Sequence, residues 1–495
     1  MSATIEQDTT AAPRLIGEAP PSPSGPAPDD GGPRGAGAGH VAGEGGPPGE
    51  LNLPPAIGLP RQLQALRFSV RQVPFLFRAR RELGETFAIR FPLRRDYADD
   101  RTYIVSHPDH VKSIFTQPEL SLSTAGESPL RPIVGPNSVL TTVGPAHMRQ
   151  RKLLLPPFHG EAVERYTQMI AEVAEREIDS WPLNKPFALG PKMQSVTLDV
   201  IMAGIFGVPD GRPAPGTPEH SLREVILRLS WLTQTPVGQL AELMNAGREE
   251  PVGLTKRLIA RLDRDLYGTI AAARARQDDG AERTDILSLL LAARDEDGNA
   301  MSDQELRDEL LTLVLAGHET TANSLAWTFE RLLRTPAAYE RLREEVRADS
   351  PDADAYVEAT IHEAMRNRPV VPITGRRVKA PWQLGEWRLP RNSHILVSVT
   401  LLHHREDVYP DPFNFRPERF LGVRPGTYTW VPFGGGIRRC LGATLAMAEQ
   451  RVVLRAIARR TDMVAPDPRP ERVLHRNVTM IPAHGARVRV TSRQP

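Results

Sequence analysis

The residue best placed to do chemistry is Cys440, the only cysteine among 495 residues. It follows a run of three glycines and an arginine, Arg438, and it precedes a stretch whose apolar residues recur at helical spacing. The sequence therefore predicts that Cys440 lies at the N-terminus of a helix, where unpaired backbone N–H groups and the helix dipole favour an anion. A thiolate is such an anion, and this environment lowers the pKa of a thiol. Residues 433–442 thus indicate a thiolate able to bind a metal ion.

The residues around Cys440 suggest which metal group the thiolate would bind. Glycines allow the backbone to lie flat against a large planar group, because a Cβ would hold it away. Arg438 offers a fixed cation that suits a carboxylate on the same group. A planar group that carries carboxylates and a metal accepting one thiolate is haem. Three other interpretations stay open: Cys440 as a buried structural thiol, as a nucleophile paired with one of the 13 histidines, or beside a glycine-rich phosphate site.

Residues 433–442 resemble the haem-binding loop of the cytochrome P-450 family, Phe-Gly-x-Gly-x-Arg-x-Cys-x-Gly, at every fixed position. In that family a cysteine thiolate ligates the haem iron. The resemblance implies that haem b is the cofactor and that Cys440 is the metal ligand. It also implies that Phe433, Gly434 and Arg438 bind the haem.

A second pattern lies within residues 302–334, which we predict to form one long helix. Residues 310–316 are apolar nearly all round, which indicates a buried helix. The residues 317–321, Gly-His-Glu-Thr-Thr, break that pattern, because glycine, β-branched residues and a buried carboxylate all cost stability. Such costs in one place indicate function or strain. The simpler alternative is a helix that surfaces for one turn at His318 and Thr321.

The same turn resembles the Ala-Gly-x-Asp/Glu-Thr-Thr/Ser motif of the family, which crosses over the haem iron. The resemblance implies that Ala316 and Gly317 contact the haem and that Gly317 leaves room for dioxygen. It also implies that Thr320 and Glu319 are catalytic. The Thr320 hydroxyl would donate a hydrogen bond during oxygen activation, and Glu319 would relay protons from solvent, because splitting the O–O bond needs protons in an otherwise dry site.

Three basic residues match the family's ligands for the haem carboxylates. His147 and Arg151 are four residues apart on a predicted helix, so they share a face. They resemble the His-x-x-x-Arg pair that contacts the carboxylates in the family. Arg376 matches a further ligand of this kind, although the adjacent Arg377 leaves the register open.

A buried ion cluster is implied behind the cysteine loop. Glu363 and Arg366 are three residues apart on a helix predicted over residues 354–367, so they can pair. Most such pairs are solvated and contribute little. The resemblance joins this pair to a later arginine, here Arg419, in a structural role.

Composition divides the chain into a tail and one domain. Residues 1–50 are mostly Pro, Gly, Ala and small polar residues, which bury too little apolar surface to offset the entropy of ordering. The resemblance implies a single domain over residues 51–495 that is mainly α with small β-sheets, the cytochrome P-450 fold. Further predicted elements are strands at 86–91, 102–105 and 395–399, a final pair of strands at 478–481 and 486–490, a helix at 108–117, and mostly helices over 160–350.

Charge and hydropathy exclude several functions. The 62 basic and 60 acidic side chains give a net charge of +2, so nothing points to nucleic acid or an anionic membrane. No apolar run reaches the roughly 20 residues that span a bilayer, and the first residues lack the apolar core of a signal peptide. One cysteine cannot form an internal disulfide, which suits a reducing compartment. We expect a soluble, cytoplasmic protein.

Electrons would come from a separate protein. Only 55 residues follow Cys440 and the N-terminal tail is short, so we expect no fused reductase domain. The resemblance implies a ferredoxin and a ferredoxin reductase as partners. Arg149, Lys152 and Arg439 would lie on the thiolate side of the haem and dock an acidic partner, or else they are ordinary solvated residues.

The resemblance implies a haem-thiolate monooxygenase that uses dioxygen to hydroxylate a small molecule. Apolar side chains in residues 121–142 and 224–243, and at Val371 and Ile373, would line the pocket. They indicate a lipophilic substrate such as a fatty acid, terpenoid, steroid or polyketide. Three rival functions stay open: use of peroxide, a non-enzymatic haem protein that binds a gas, and a cysteine hydrolase without haem. The acid–alcohol pair of the long helix argues against the first two.

Overall fold

Helices dominate the computed structural model, which describes residues 52–91, 101–117, 130–158, 160–232, 250–277, 283–476 and 478–494. The predicted tail lies outside these residues, as do parts of both predicted pocket segments. The described helices are α1 Arg61–Leu83, α2 Pro108–Thr116, α3 Arg131–Val134, α4 Gly144–Leu154, α5 Glu161–Asp179, α6 Leu189–Phe206, α7 Pro218–Leu232, α8 Gly253–Gln277, α9 Ile286–Ala292, α10 Asp303–Leu332, α11 Pro336–Arg347, α12 Ala353–Asn367, α13 Val399–His403 and α14 Ala443–Arg460.

The strands form small separate sheets. The largest has the order β1-β2-β7-β4, in which only β2 and β7 run parallel. A second sheet has the order β3-β11-β8, and two hairpins pair β5 with β6 and β9 with β10. The strands are β1 Thr86–Arg90, β2 Arg101–Val105, β3 Pro186–Ala188, β4 Ile373–Arg377, β5 Trp382–Leu384, β6 Trp387–Leu389, β7 His394–Ser398, β8 Thr461–Val464, β9 Val473–Arg476, β10 Thr479–Pro482 and β11 Arg487–Arg493.

Helix α10 runs through the centre of the structure and confirms the long helix predicted from the sequence. Its start is fixed by a capping box, in which Ser302 and Glu305 each accept a hydrogen bond from the other's backbone N–H, at 3.2 and 2.8 Å. Most of its side chains are buried, as expected from residues 310–316, which are apolar nearly all round. It packs against α6, and Trp327 donates a hydrogen bond to the Met480 carbonyl of β10 at 2.9 Å.

The last strands pair differently from the prediction. The sequence suggested that two final strands, here β10 and β11, form a pair, but β10 pairs with β9 and β11 lies between β3 and β8. Strand β9 was not predicted, because its residues, Val-Leu-His-Arg, do not alternate between apolar and polar side chains. Because the connection between β9 and β10 is short, Arg476 pairs directly with Thr479, and this pairing sets the register of the hairpin.

The predicted fold class is confirmed: the structure is mainly α with small sheets, as in the cytochrome P-450 fold. None of the described helices combines the length and apolar character needed to cross a membrane.

Candidate functional site

The cysteine loop ends just before α14. Cys440 lies two residues before Gly442, the N-cap of that helix, and its backbone N–H donates to the Phe433 carbonyl at 3.0 Å. The side chain is exposed to open space, yet enough protein surrounds it for burial to raise the pKa of the thiol. The Gly442 N–H, Arg439 and Arg151 oppose that rise. The expected drop in the thiol pKa is therefore not found in the protein alone, because desolvation outweighs the helix terminus.

The three glycines of the loop serve two different purposes. A Cβ on Gly435 would overlap the Phe115 ring of α2, and one on Gly436 would overlap the Phe115 carbonyl. These two glycines therefore let the loop pack against α2. Gly434 has a φ of +68°, and nothing lies within 4 Å of the position its Cβ would take. A flat group can approach the backbone only on that open side.

Two half-buried arginines lie at the site, Arg438 within the loop and Arg376 on β4. Arg438 donates to the Val139 carbonyl at 2.8 Å and to the Thr142 carbonyl, and burial lowers its pKa to about 10. Arg376, in β4, donates to the Gly375 carbonyl at 2.8 Å, and its guanidinium lies 5.6 Å from the centre of the Phe115 ring. Burial lowers its pKa to about 10 as well. No ion pair joins Arg376 to a carboxylate of the described chain, so a carboxylate from a bound group would stabilise its charge.

His147 and Arg151 of α4 face the cysteine loop. The buried His147 ring places Nδ1 3.1 Å from the Val139 carbonyl and Nε2 3.3 Å from the Ile437 carbonyl. Burial lowers its pKa, so the neutral ring has one N–H and can donate to only one of these oxygens. One turn later, Arg151 donates to the Arg439 carbonyl at 2.8 Å. Both predicted residues therefore contact the loop backbone on either side of Arg438.

The part of α10 that contains residues 316–321 faces open space on one side. Ala316 is exposed, whereas Leu310, Leu311 and Ala322 in the neighbouring turns are buried. The hydroxyl of the half-buried Thr320 donates to the Ala316 carbonyl at 2.6 Å, a common bond within helices.

Neighbouring residues of this turn pack inward. The expectation that the helix surfaces at His318 and Thr321 is wrong, because both side chains are buried. A Cβ on Gly317 would lie 3.1 Å from Ile201 Cδ1, so this glycine lets α10 approach α6 closely. That packing role was not predicted, and the role in making room for dioxygen stays a prediction. Burial lowers the pKa of His318 to about 4.

Glu319 is held by a hairpin far away in the sequence. Its Oε1 accepts hydrogen bonds from Arg476 Nε at 2.8 Å and from Thr479 Oγ1 at 3.2 Å, and a second Arg476 nitrogen also contacts it. The Arg476 side chain is 8% exposed and that of Glu319 is 24% exposed. Sequence reasoning missed both partners, because a basic residue in a short strand carries no local signal of what it contacts.

The buried ion cluster predicted behind the loop is present. Arg366 donates to Glu363 through Nε at 2.6 Å and through a terminal nitrogen at 2.8 Å. Arg419 Nε lies 3.1 Å from the same carboxylate. The Glu363 and Arg366 side chains are fully buried. The contacts among Glu363, Arg366 and Arg419 therefore confirm the predicted cluster.

The residues expected to dock an acidic partner are mostly engaged within the chain. Arg149 is paired with Asp295 and Glu305, each at 2.6 Å, and Lys152 is paired with Glu296 at 2.6 Å. Those carboxylates neutralise Arg149 and Lys152, which argues against the docking role expected for them. Arg439 is exposed and has no ion pair within the described residues.

A set of contacts between α10 and the segment before α4 was also missed. Asp308 accepts a hydrogen bond from the Asn137 N–H at 3.0 Å, and the hydroxyls of Thr312 and Ser138 lie 2.7 Å apart. A Cβ on Gly135 would overlap the Asp308 carboxylate. Helix α10 therefore holds the described part of the predicted 121–142 loop in place.

Taken together, the donor set fits a haem. An accessible thiol offers one metal ligand, and basic side chains whose pKa values are lowered by burial offer partners for carboxylates. A backbone position with an open side, and an exposed alanine on an otherwise buried helix, leave space for a flat group. The residues concerned are Cys440, Arg438, Arg376, His147, Gly434 and Ala316.

Comparison with known proteins gives the same family. The cytochrome P450 family model matches residues 62–490. Cytochrome P450 137 of Mycobacterium tuberculosis is 38% identical over 455 residues, covering 89% of this chain and 92% of the relative. Cytochrome P450 135B1 of Mycobacterium bovis is 37% identical over 451 residues, with 89% and 92% covered.

Solved structures are similar in fold. The retinoic acid-bound cyanobacterial CYP120A1 superposes with a TM-score of 0.73 at 23% identity, covering 90% of this chain and 100% of that one. The haem domain of cytochrome P450DA gives 0.74 at 21% identity, with 90% and 98% covered.

Proposed function

The chain belongs to the cytochrome P450 family, a family of haem-thiolate monooxygenases, and on that premise we propose that it hydroxylates a lipophilic small molecule with electrons from a separate ferredoxin and its reductase. The observation that carries the proposal is the accessible Cys440 thiol together with two half-buried arginines, Arg438 and Arg376, and an intact acid–alcohol pair on α10. Haem held by a cysteine thiolate supplies an iron centre that activates dioxygen for insertion of one oxygen atom into a C–H bond.

We assign the binding roles as follows. Cys440 would ligate the metal, and the Gly442 N–H with Arg151 and Arg439 would stabilise its negative charge. Arg438, Arg376 and Arg151 would bind the haem carboxylates, and so would His147 once its ring carries a second proton, because the neutral ring has only one N–H. Arg376 is preferred over Arg377 because its guanidinium lies near the ring of Phe115, whose main chain and ring contact the glycine loop. Phe433, Gly434, Ala316 and Gly317 would contact the haem plane.

We assign proton transfer to two residues of α10. The Thr320 hydroxyl would have to release the Ala316 carbonyl before it could donate a hydrogen bond into the open space. Glu319 is partly exposed and would exchange protons with solvent, while Arg476 and Thr479 hold its carboxylate. This pair supports the use of dioxygen rather than peroxide, because reducing dioxygen consumes protons that peroxide already carries, and these must be delivered into a site that excludes bulk water.

A lipophilic substrate is supported by apolar side chains in the described parts of the predicted pocket. Leu140 is 40% exposed. Val371 is half-buried, whereas Ile373 packs against the core formed by α1 and β1. The cyanobacterial CYP120A1 structure, which has the same fold, is bound to retinoic acid, and this supports a lipophilic ligand here. We propose a fatty acid, terpenoid, steroid or polyketide as the substrate class.

For the electron donor we propose an acidic ferredoxin that docks near Arg439, the one residue of the three expected that has no ion pair in the described chain. Because Arg439 also acts on the Cys440 thiolate, Arg439→Glu should slow reduction by the ferredoxin more than reduction by dithionite, which needs no docking, and leave substrate affinity unchanged. Loss of both would refute the docking role. We place the protein in the cytoplasm, because a single cysteine that must stay reduced to bind a metal suits a reducing compartment.

Turnover under labelled oxygen tests the proposal. Purified protein would be combined with NADPH, a surrogate ferredoxin and its reductase, ¹⁸O₂ and a panel of the four substrate classes. We expect a product that carries one ¹⁸O atom and whose formation requires both electron-transfer proteins. Product formed only with added peroxide would support the peroxide-using alternative. Substrate binding without any product under all conditions would support a binding protein.

A further inference from the structure

The backbone of one residue, Val139, connects α10 to two of the proposed haem ligands. The Val139 N–H donates to Glu309 Oε1 at 2.7 Å. The Val139 carbonyl accepts from Arg438 at 2.8 Å and lies 3.1 Å from His147 Nδ1. The N–H and the carbonyl therefore bind groups on opposite sides of one residue, so a change at Glu309 would reorient the carbonyl that both basic residues share.

Glu309 is an unusual residue for its surroundings. It is fully buried in α10, and burial raises its pKa well above the ordinary value for glutamate, with Asp308 and Glu305 adding to the rise. Its second oxygen, Oε2, has no hydrogen-bond partner in the described chain. Buried polar atoms are nearly always paired, so a carboxyl group retained here calls for an explanation.

We propose that Glu309 is a positioning residue: through the backbone of Val139 it directs Arg438 and His147 toward the haem carboxylates. The inference rests on the proposed function, since it assumes that these two residues bind the haem. The neighbouring contacts of α10, from Asp308 to Asn137 and from Thr312 to Ser138, anchor the same segment but do not involve Val139. These contacts therefore provide a control that separates loss of anchoring from loss of the Val139 hydrogen bond.

The test compares substitutions that keep or remove the acceptor. Glu309→Gln has the shape of the neutral acid and keeps an oxygen for the Val139 N–H, whereas Glu309→Met has similar length and no acceptor. We expect Glu309→Met to transfer its haem to apomyoglobin about tenfold faster, the effect of losing one buried hydrogen bond. Its reduction potential should fall, because less positive charge faces the haem carboxylates. Glu309→Gln should match the wild type in both measurements.

Thr312→Val is the matched control, because it removes one hydrogen bond between α10 and the same segment while leaving Val139 untouched. It should lower the melting temperature without changing the rate of haem transfer or the potential.

Hydrogen exchange of peptides covering residues 135–142 gives a readout that does not depend on activity: Glu309→Met should raise exchange at the Val139 amide. In combination with His147→Phe, the effect of Glu309→Met should be less than additive.

Several outcomes would overturn the positioning role. One is a Glu309→Met protein that is destabilised like Thr312→Val but keeps its haem transfer rate and potential. Another is a Glu309→Gln protein that behaves like Glu309→Met. If Glu309→Met does not fold, Glu309→Asp replaces it, since the shorter acid should lose the Val139 contact and shift haem transfer in the same direction. A thiolate signature in the carbon monoxide spectrum of every variant separates this result from failure of the proposed function.

Discussion

The buried cluster around Glu363 gives a prediction whose magnitude follows from the structure. Its carboxylate accepts two hydrogen bonds from Arg366 at 2.6 and 2.8 Å, lies 3.1 Å from Arg419 and accepts the Arg416 N–H at 2.8 Å. Glu363→Gln keeps the volume but removes the negative charge, leaving buried cations without compensation. Breaking a buried ion pair in this way costs about 3–5 kcal/mol. We expect a loss near the lower limit, because Arg366 keeps its hydrogen bonds to two backbone carbonyls.

The assay is urea denaturation of the variant and the wild type, followed by circular dichroism and tryptophan fluorescence. A loss of about 3 kcal/mol raises the equilibrium constant for unfolding roughly a hundredfold, and the urea midpoint falls accordingly. Glu358→Gln is the matched control, because it makes the same change on the same helix at a side chain that is 50% exposed. The control should lose less than about 1 kcal/mol. Equal effects of the two substitutions would refute the view that burial makes the cluster important.

Three further predictions concern the site and its packing. Gly435→Ala should prevent normal haem incorporation, because the new Cβ would overlap the Phe115 ring; an unchanged ratio of haem to protein absorbance would contradict this. Burial lowers the pKa of His318 from 6.5 to about 4. The free energy of unfolding should therefore fall by up to roughly 3 kcal/mol as the pH drops from 6.5 to 4, because the unfolded chain binds this proton more tightly than the folded protein. Melting curves of His318→Asn should lack that fall, and an identical pH dependence would refute it. Thr320→Ala should consume NADPH and oxygen but release mostly hydrogen peroxide, with about tenfold less product per NADPH, while Thr320→Ser keeps its coupling; unchanged product yield would exclude a role for the hydroxyl.

Local sequence patterns were enough to find the parts of the site that lie close together in the chain. Cys440 and Arg438 are two residues apart, and Glu319 and Thr320 are adjacent, so spacing alone placed each pair on one loop or one turn. The long helix could be predicted because its apolar residues cover nearly every face, which is typical of a helix in the middle of a protein.

Contacts between distant parts of the chain could not be predicted in the same way. Arg476 binds Glu319 across 157 residues, and Arg149 reaches Asp295 across 146 residues. Nothing in the sequence near either arginine shows whether it faces solvent or a buried carboxylate. The glycines of the cysteine loop show a related limit: the sequence indicates a close approach, but only the structure identifies Phe115 as what Gly435 approaches.

The most direct test of the central claim is the carbon monoxide difference spectrum of the dithionite-reduced protein, measured beside Cys440→Ala. The account predicts a strongly red-shifted Soret band in the wild type, which is lost in the variant because the thiolate ligand is removed. Haem without that band would mean that another residue ligates the iron, and absence of any bound haem would contradict the account altogether.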